Sequence, residues 1–367
     1  MCWRVRADVR VEIFVPGRLC LFGEHSDWAG ALRAHDSSVA PGACLIAGTN
    51  QGIRARVTPC DIFEITTRLP DGSTRGPLRV PMDVAALEQV ARSADFFSYS
   101  AGVAAVVANQ TGVPGVRIDI VHDDLPIARG LSSSAAICVL TARAFGCVHG
   151  LGLSLREEMD FAYRGELLAG SQCGRMDQAC AYGSRPVLLR FDGEQPMQVE
   201  PLVAGGVLHL LIVDLQSAKN TRRILADLHA CFRDRADPRC APLRAALGAL
   251  NLTTVERAAA ALAAGDARVL GELMSEAQAV FDRDVAPACP HELRAPKLHA
   301  VLEHPAAARF AWGGKGVGSQ GDGTAQFVCR GAAERDELAA ILEADAGVRC
   351  LPLTVGETSH ARGSAGG

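Results

Sequence analysis

The chain has no excess of basic residues. Lys plus Arg total 37 against 41 Asp plus Glu, a net charge of −4, so nothing electrostatic favours nucleic acid or an anionic membrane as partner, and a small-molecule ligand fits better. It has no C-x-x-C pair either. Its 13 cysteines, an odd number, are scattered from Cys2 to Cys350, which argues against a disulfide framework and against a zinc ribbon. No uninterrupted apolar run reaches transmembrane length, and the start, "MCWRVRADVRVEIFV", carries five charges within twelve residues in place of the apolar core of a signal peptide. A cytoplasmic protein with reduced thiols is expected, and no internal repeat is visible. What remains is ordinary globular composition: 367 residues, 49% hydrophobic and 21% charged, enough for one large domain or two smaller ones.

The pattern of apolar residues organises the chain. Residues 9–15 and 53–57 read as strands around the glycine-bearing "PGRLCLFGEHSDWAG". Residues 100–110 suit a buried helix. Val116, Ile118 and Ile120 then alternate with Arg117 and Asp119, as in a half-buried strand. A helix is expected from Ser133 and another over 155–169, followed by a buried strand at 207–213. Ile224, Leu228, Cys231 and Phe232 recur at helical spacing. Thr253 and Thr254 read as a cap for "VERAAAALAA", which Gly265 stops. The end reads strand (308–312), glycine loop, strand (325–329), helix (332–345) and strand (348–355). The domain boundary is expected near 190–205, giving domains 1–195 and 196–360 and a disordered tail, 361–367.

Residues 126–136, "PIARGLSSSAA", join the alternating strand to the helix from Ser133. Three serines at a helix start suit capping. They also suit phosphate, because backbone N–H groups converge there on the positive end of the helix and Gly130 lets the backbone come close. The stretch is neither a Walker A loop, since no Gly-Lys-Ser/Thr occurs, nor G-x-G-x-x-G. Phosphoryl transfer further requires a divalent cation and a group that receives or orients the acceptor hydroxyl.

Three ordered motifs, "PGRLCLFGEHSD" (16–27), "PIARGLSSSAA" (126–136) and "GSQCGRMDQ" (170–178), resemble those of the GHMP kinases, the superfamily of galactokinase, homoserine kinase, mevalonate kinase and phosphomevalonate kinase. Its phosphate loop, Pro-x-x-x-Gly-Leu-x-Ser-Ser-Ala, is matched by Pro126, Gly130, Leu131, Ser133, Ser134 and Ala135. The first motif is most similar to the galactokinase-type sugar branch. The resemblance implies an α+β fold in two domains: an N-terminal mixed sheet with helices, and a C-terminal ferredoxin-like α/β sandwich, with the active site in the cleft between them. It implies ATP and Mg²⁺ as cofactors and transfer of the γ-phosphoryl group to a sugar hydroxyl, the anomeric one by analogy. The alternatives are a non-anomeric hydroxyl, as in heptose-phosphate, homoserine or mevalonate kinases, and a catalytically silent sensor of sugar and ATP.

Carried over residue by residue, Arg18 would sit beside the transferring phosphoryl group, Asp177 would take or orient the acceptor proton, and Glu24, His25 and Asp27 would bind sugar hydroxyls. Ser134 and Glu166 would hold magnesium, with Ser132 and Ser133 bonding phosphate or capping the helix. The third family motif departs from its pattern. In "GGKGVGSQGDG" (313–323) the glycines are interrupted by Ser319, Gln320 and Asp322, and a carboxylate beside ATP phosphates would be repelled. Asp322 is therefore expected to turn towards the acceptor or a cation, or to make a local turn, with Lys315 offsetting its charge. Trp28 replaces the usual tyrosine after Asp27 and reads either as a sugar-stacking ring or as core. Arg33 and His35 are candidates for an acidic substituent, and Lys219 and Thr221 mark a strand-to-helix junction, Thr221 as a cap first.

Overall fold

The computed structural model describes residues 9–69, 72–125, 130–171, 173–193 and 197–356. Its strands are β1 (Val11–Phe22), β2 (Gly42–Pro59), β3 (Phe63–Arg68), β4 (Thr74–Val80), β5 (Val116–Asp123), β6 (Val187–Phe191), β7 (Gln198–Pro201), β8 (Leu208–Asp214), β9 (Ala311–Gly316), β10 (Thr324–Cys329) and β11 (Arg349–Val355). The chain divides into two compact units, one made of residues up to Arg18 plus Gly48–Ser184, the other of Leu19–Ala47 plus residues from Arg185 on. The expected domains are single stretches, whereas each unit is built from two; Leu19–Ala47, which contains Glu24, His25 and Asp27, packs with the later part of the chain. The tail expected at 361–367 lies outside the described residues. No described helix is long and apolar enough to cross a membrane.

In the first unit β5 lies between β3, which is parallel to it, and the later part of β2, which is antiparallel; β4 pairs antiparallel with β3. Val116, Ile118 and Ile120 are buried while Arg117 and Asp119 are exposed, as a period of two requires. Helices Ser98–Thr111, Ser133–His149 and Leu155–Leu168 pack on one another. The last is started by a capping box in which the Ser154 hydroxyl accepts from the Glu157 N–H and the Glu157 carboxylate accepts from the Ser154 N–H. Gly102 and Gly165 let two of these helices touch backbone to backbone, since a Cβ on Gly102 would lie 2.2 Å from the Gly165 oxygen. That contact fixes the turn carrying Glu166.

In the second unit the first part of β2 pairs antiparallel with β6, and β6 with β7. A separate antiparallel sheet has the order β11-β8-β10-β9, with Leu211, Val213, Leu298, Phe310, Phe327 and Leu338 in its core. A second apolar cluster gathers Ile224, Leu228, Phe232, Leu247, Phe281 and Leu293. Three local expectations change. The strand expected at 308–312 is helix Pro305–Phe310, with Pro305 at its first position and the His304 ring accepting from the Ala306 N–H at 3.3 Å. The strand β9 starts only at Ala311, so Gly313 to Gly316 are strand and the loop narrows to 317–323. Thr253 and Thr254 lie inside helix Asn251–Ala264, donating back to the carbonyls of Ala249 and Leu250, because helical residues already precede them.

Candidate active site

Helix Ser133–His149 begins without the cap its serines suggest. Ser132 holds the capping position in left-handed backbone, φ 55°, and its hydroxyl makes no capping hydrogen bond. Gly130, with φ 79°, turns the chain just before it. An N-terminus in this state keeps N–H groups available and favours an anion through the helix dipole. Leu131 and Ala135 are buried and anchor the turn, while Pro126 lies outside the described residues.

Arg18 is fastened to this loop. Its N–H donates to the Leu131 carbonyl at 3.1 Å, its Nη1 to the Gly130 carbonyl at 3.2 Å, and its Nη2 to Asp177 Oδ1 at 2.5 Å. Asp177 starts the 3-10 helix Asp177–Tyr182. Its side chain is 21% exposed against 4% for Arg18, so the carboxylate keeps an open side on which a hydroxyl could be oriented. Two residues 159 apart in sequence thus meet at the turn that leads into helix Ser133–His149.

Glu166 is buried on helix Leu155–Leu168, near the Ser134 hydroxyl and hydrogen-bonded by Gln178 Nε2 at 2.8 Å. Burial, and next the nearby Asp177 carboxylate, push its carboxyl up to about 7. This set fits magnesium. Ser134 and Glu166 offer hard oxygens, the preference of that ion, and a divalent cation would relieve the crowding of two carboxylates. Among the described residues no group of three or more His, Cys, Asp or Glu is placed to hold a metal, so further ligands would have to come from phosphate oxygens or water, as is usual for magnesium.

Arg143 braces these parts and was not singled out by the sequence. Its Nε and Nη2 donate to Glu158 Oε2 at 3.0 and 2.6 Å, and Nη2 also donates to the Ala181 carbonyl at 2.7 Å. One guanidinium thereby joins the helix of Ser134, the helix of Glu166 and the turn of Asp177. Gln178 was missed as well, although it lies within the quoted third motif.

In the second unit Glu24, His25 and Asp27 are all buried. Glu24 forms an ion pair with the buried Lys315, whose Nζ also donates to the Gly316 carbonyl at 2.9 Å. Lys315 therefore offsets Glu24 rather than Asp322. The pair borders a cavity of about 50 Å³ lined also by Phe22, Asn251, Phe281 and Gln320, room for a water or two rather than a sugar. His25 has left-handed backbone, φ 65°, and burial pushes its imidazole down to about 3, with Lys219, His229 and Lys315 acting in the same direction.

Asp322 Oδ1 accepts from the N–H groups of Lys297 and Leu298, both at 2.9 Å, and so holds the start of helix Pro296–Leu302; this oxygen is spent on a contact to residues 24 and 25 positions away, not on a local turn. Arg33 is not free for an acidic substituent: it pairs with Asp192 at 2.6 Å and donates to the carbonyls of Ser37 and Val39. Asn220, not Thr221, caps helix Thr221–Arg233, and Thr221 meets the Ser319 hydroxyl at 3.2 Å. Lys219 Nζ donates to the Gln320 carbonyl at 2.9 Å. Trp28 packs on His229 and Phe232.

An uncapped helix start, an arginine clamped between its carbonyls and a carboxylate, and hard oxygen donors beside them are the kinds of group that phosphoryl transfer to a small molecule requires. A chain with this fold and this cluster is a small-molecule kinase. Residues 98–184 match the GHMP kinases N terminal domain. The galactokinase of Roseiflexus sp. (strain RS-1) is 27% identical over 318 residues, covering 76% of this chain and 75% of the relative. Galactokinase of Lactococcus lactis, solved with galactose, superposes with a TM-score of 0.70 at 17% identity, covering 96% of this chain and 95% of that one. Mevalonate kinase of L. major, solved with R-mevalonate, gives 0.71 at 18% identity, with 96% and 98% covered. The chain is thus similar to the GHMP kinases in the region of their N-terminal domain and in overall fold, and galactokinases are among the proteins it resembles.

Proposed function

We propose that the protein transfers the γ-phosphoryl group of ATP to a hydroxyl of a monosaccharide or sugar derivative, at the anomeric carbon. The observation that carries this reading is the clamp at the loop: Arg18 is bonded at once to the Gly130 and Leu131 carbonyls and to Asp177. The acceptor oxygen forms a bond to the γ-phosphorus as the bond to the β,γ-bridging oxygen breaks, leaving ADP and a sugar phosphate. Asp177 receives the acceptor's proton as the new bond forms, and Arg18 stabilises the charge on the transferring group. The N–H groups and hydroxyls of Ser132, Ser133 and Ser134, with the turn of Gly130, Leu131 and Ala135, hold phosphate oxygens. Ser134 and Glu166 hold magnesium, which when bound neutralises phosphate charge.

Glu24, His25 and Asp27 bind acceptor hydroxyls in this reading, favouring a polyhydroxylated molecule over one lacking those groups. Partners are the sugar and ATP, with neither nucleic acid nor membrane, in a cytoplasmic setting. The mevalonate kinase likeness in fold supports a second reading, transfer to a primary, non-anomeric hydroxyl. Incubation with ATP and magnesium against a panel of sugars, mevalonate and homoserine, scored for ADP release, separates the two. Phosphate on the anomeric oxygen, read by phosphorus NMR, is the expected product; turnover of mevalonate or homoserine alone would displace the sugar reading, and saturable sugar binding without turnover would favour a sensor.

A further inference from the structure

His25 has one ring nitrogen committed and one left over. Trp28 stands three positions later, in the short helix Ser26–Ala31 that His25 precedes, and the indole Nε1–H donates to His25 Nδ1 at 3.1 Å. An indole nitrogen can only donate, so Nδ1 must be the unprotonated one, and the neutral ring carries its proton on Nε2. That atom is buried without a hydrogen-bond partner, the Ser319 backbone alongside it not reaching hydrogen-bond geometry. Phe281 stacks on the ring at 6.1 Å, while Trp28 is held in turn by His229, 4.1 Å between centroids, and by Phe232.

Buried donors are nearly always paired, and one that is not calls for a ligand. Lys219, Lys315 and, when protonated, His229 are cationic neighbours that disfavour a charged ring, and Lys315 is matched by Glu24. The surroundings thus keep the ring neutral and favour an electron-rich oxygen opposite Nε2. Resting on the reading that His25 binds the acceptor sugar, we propose that Trp28 is a positioning residue: its indole N–H locks His25 in the Nε2–H tautomer, so that the imidazole donates to a lone pair of one acceptor oxygen. A tyrosine or phenylalanine ring could fill the same space, but a phenylalanine could not set the tautomer.

Nitrogen-15 correlation spectra of the histidine rings in the intact chain test this directly, with the His25 signals assigned by their loss in His25→Gln. The expected result is a single neutral Nε2–H pattern for His25 in the wild type and a mixture of tautomers in Trp28→Phe. An Nδ1–H pattern or a charged ring at pH 7 in the wild type overturns the proposal, and so does an unchanged pattern in the variant. The wild-type spectrum decides even if Trp28→Phe fails to fold. With D-galactose as probe, Trp28→Phe should raise the sugar KM about tenfold, the worth of one hydrogen bond, leaving kcat and the ATP KM within twofold. A fall in kcat with both KM values unchanged would mark a purely structural ring and overturn the proposal. Absence of any sugar turnover would count against the kinase reading alone, since the tautomer is read without substrate.

Discussion

Two glycine-bearing stretches look alike in the sequence and are used in opposite ways. At Gly130–Ala135 the glycine frees a helix start, the serine at the capping position does not cap, and Arg18, Glu166 and Asp177 gather there. At 313–323 nearly every special residue is consumed by packing. A Cβ on Gly313 would lie 2.0 Å from the Gly271 oxygen, Lys315 neutralises Glu24, and Asp322 caps a helix. Glycine next to serine or aspartate therefore marks a ligand loop only when the chain leaves its polar groups unspent. Substitutions in the first stretch should cost activity before stability, and those in the second the reverse.

The largest effect should come from Asp177→Asn, which keeps shape and removes the proton acceptor. Activity should fall by about 10²- to 10⁴-fold; activity within a few-fold would remove Asp177 from proton transfer. Next comes Lys315→Met, which strands a buried carboxylate. Breaking one side of a buried pair costs about 3–5 kcal/mol, measurable by urea unfolding. Glu24→Gln in the same chain should recover much of that loss, and no recovery would mean the pair is not what the stability reports.

Smaller effects sharpen the contrast. Gly313→Ala forces a methyl into the Gly271 backbone and should cost about 1–3 kcal/mol by overpacking, since neither backbone can swing aside as a side chain would. Asp322→Ala should cost about 1 kcal/mol, the worth of a helix cap, with the acceptor KM unchanged. A rise in that KM instead would return Asp322 to the acceptor site.

Much of the frame was legible because it depends on local periodicity. The alternation of Val116, Ile118 and Ile120, the helix from Ser133 and the stop at Gly265, a left-handed residue at φ 71°, each follow from a few adjacent residues. The extent of the strand Ala311–Gly316, expected at 308–312, was not legible, because glycines carry no strand preference and Gly313 is there to admit Gly271. The clamp was half legible: motif order put Arg18 and Asp177 in one site, but nothing local shows that Arg143 joins three elements. Likewise nothing local in the sequence pairs Glu24 with Lys315, 291 residues apart; only the fold does. Side chains that act across long separations leave no periodic trace.

The weakest and last contrast is in pH dependence, where the two regions oppose each other. Glu166 holds its proton up to about 7 when folded, against 4.5 for an ordinary glutamate. Between those values the native state binds more protons than the unfolded chain, so its contribution falls as pH rises and is level above about 7. His25 is the mirror case, about 3 when folded against 6.5. There the unfolded chain binds more protons, so stability is lost as pH falls from 6.5 towards 3. The two slopes offset one another from 4.5 to 6.5, and a nearly flat stretch is expected there in magnesium-free buffer. Denaturant titrations at stepped pH should show Glu166→Gln restoring the downward limb of His25 alone, with stability rising through that window. His25→Gln should leave only the opposite slope. If neither variant tilts the flat stretch, the two buried groups do not set the profile.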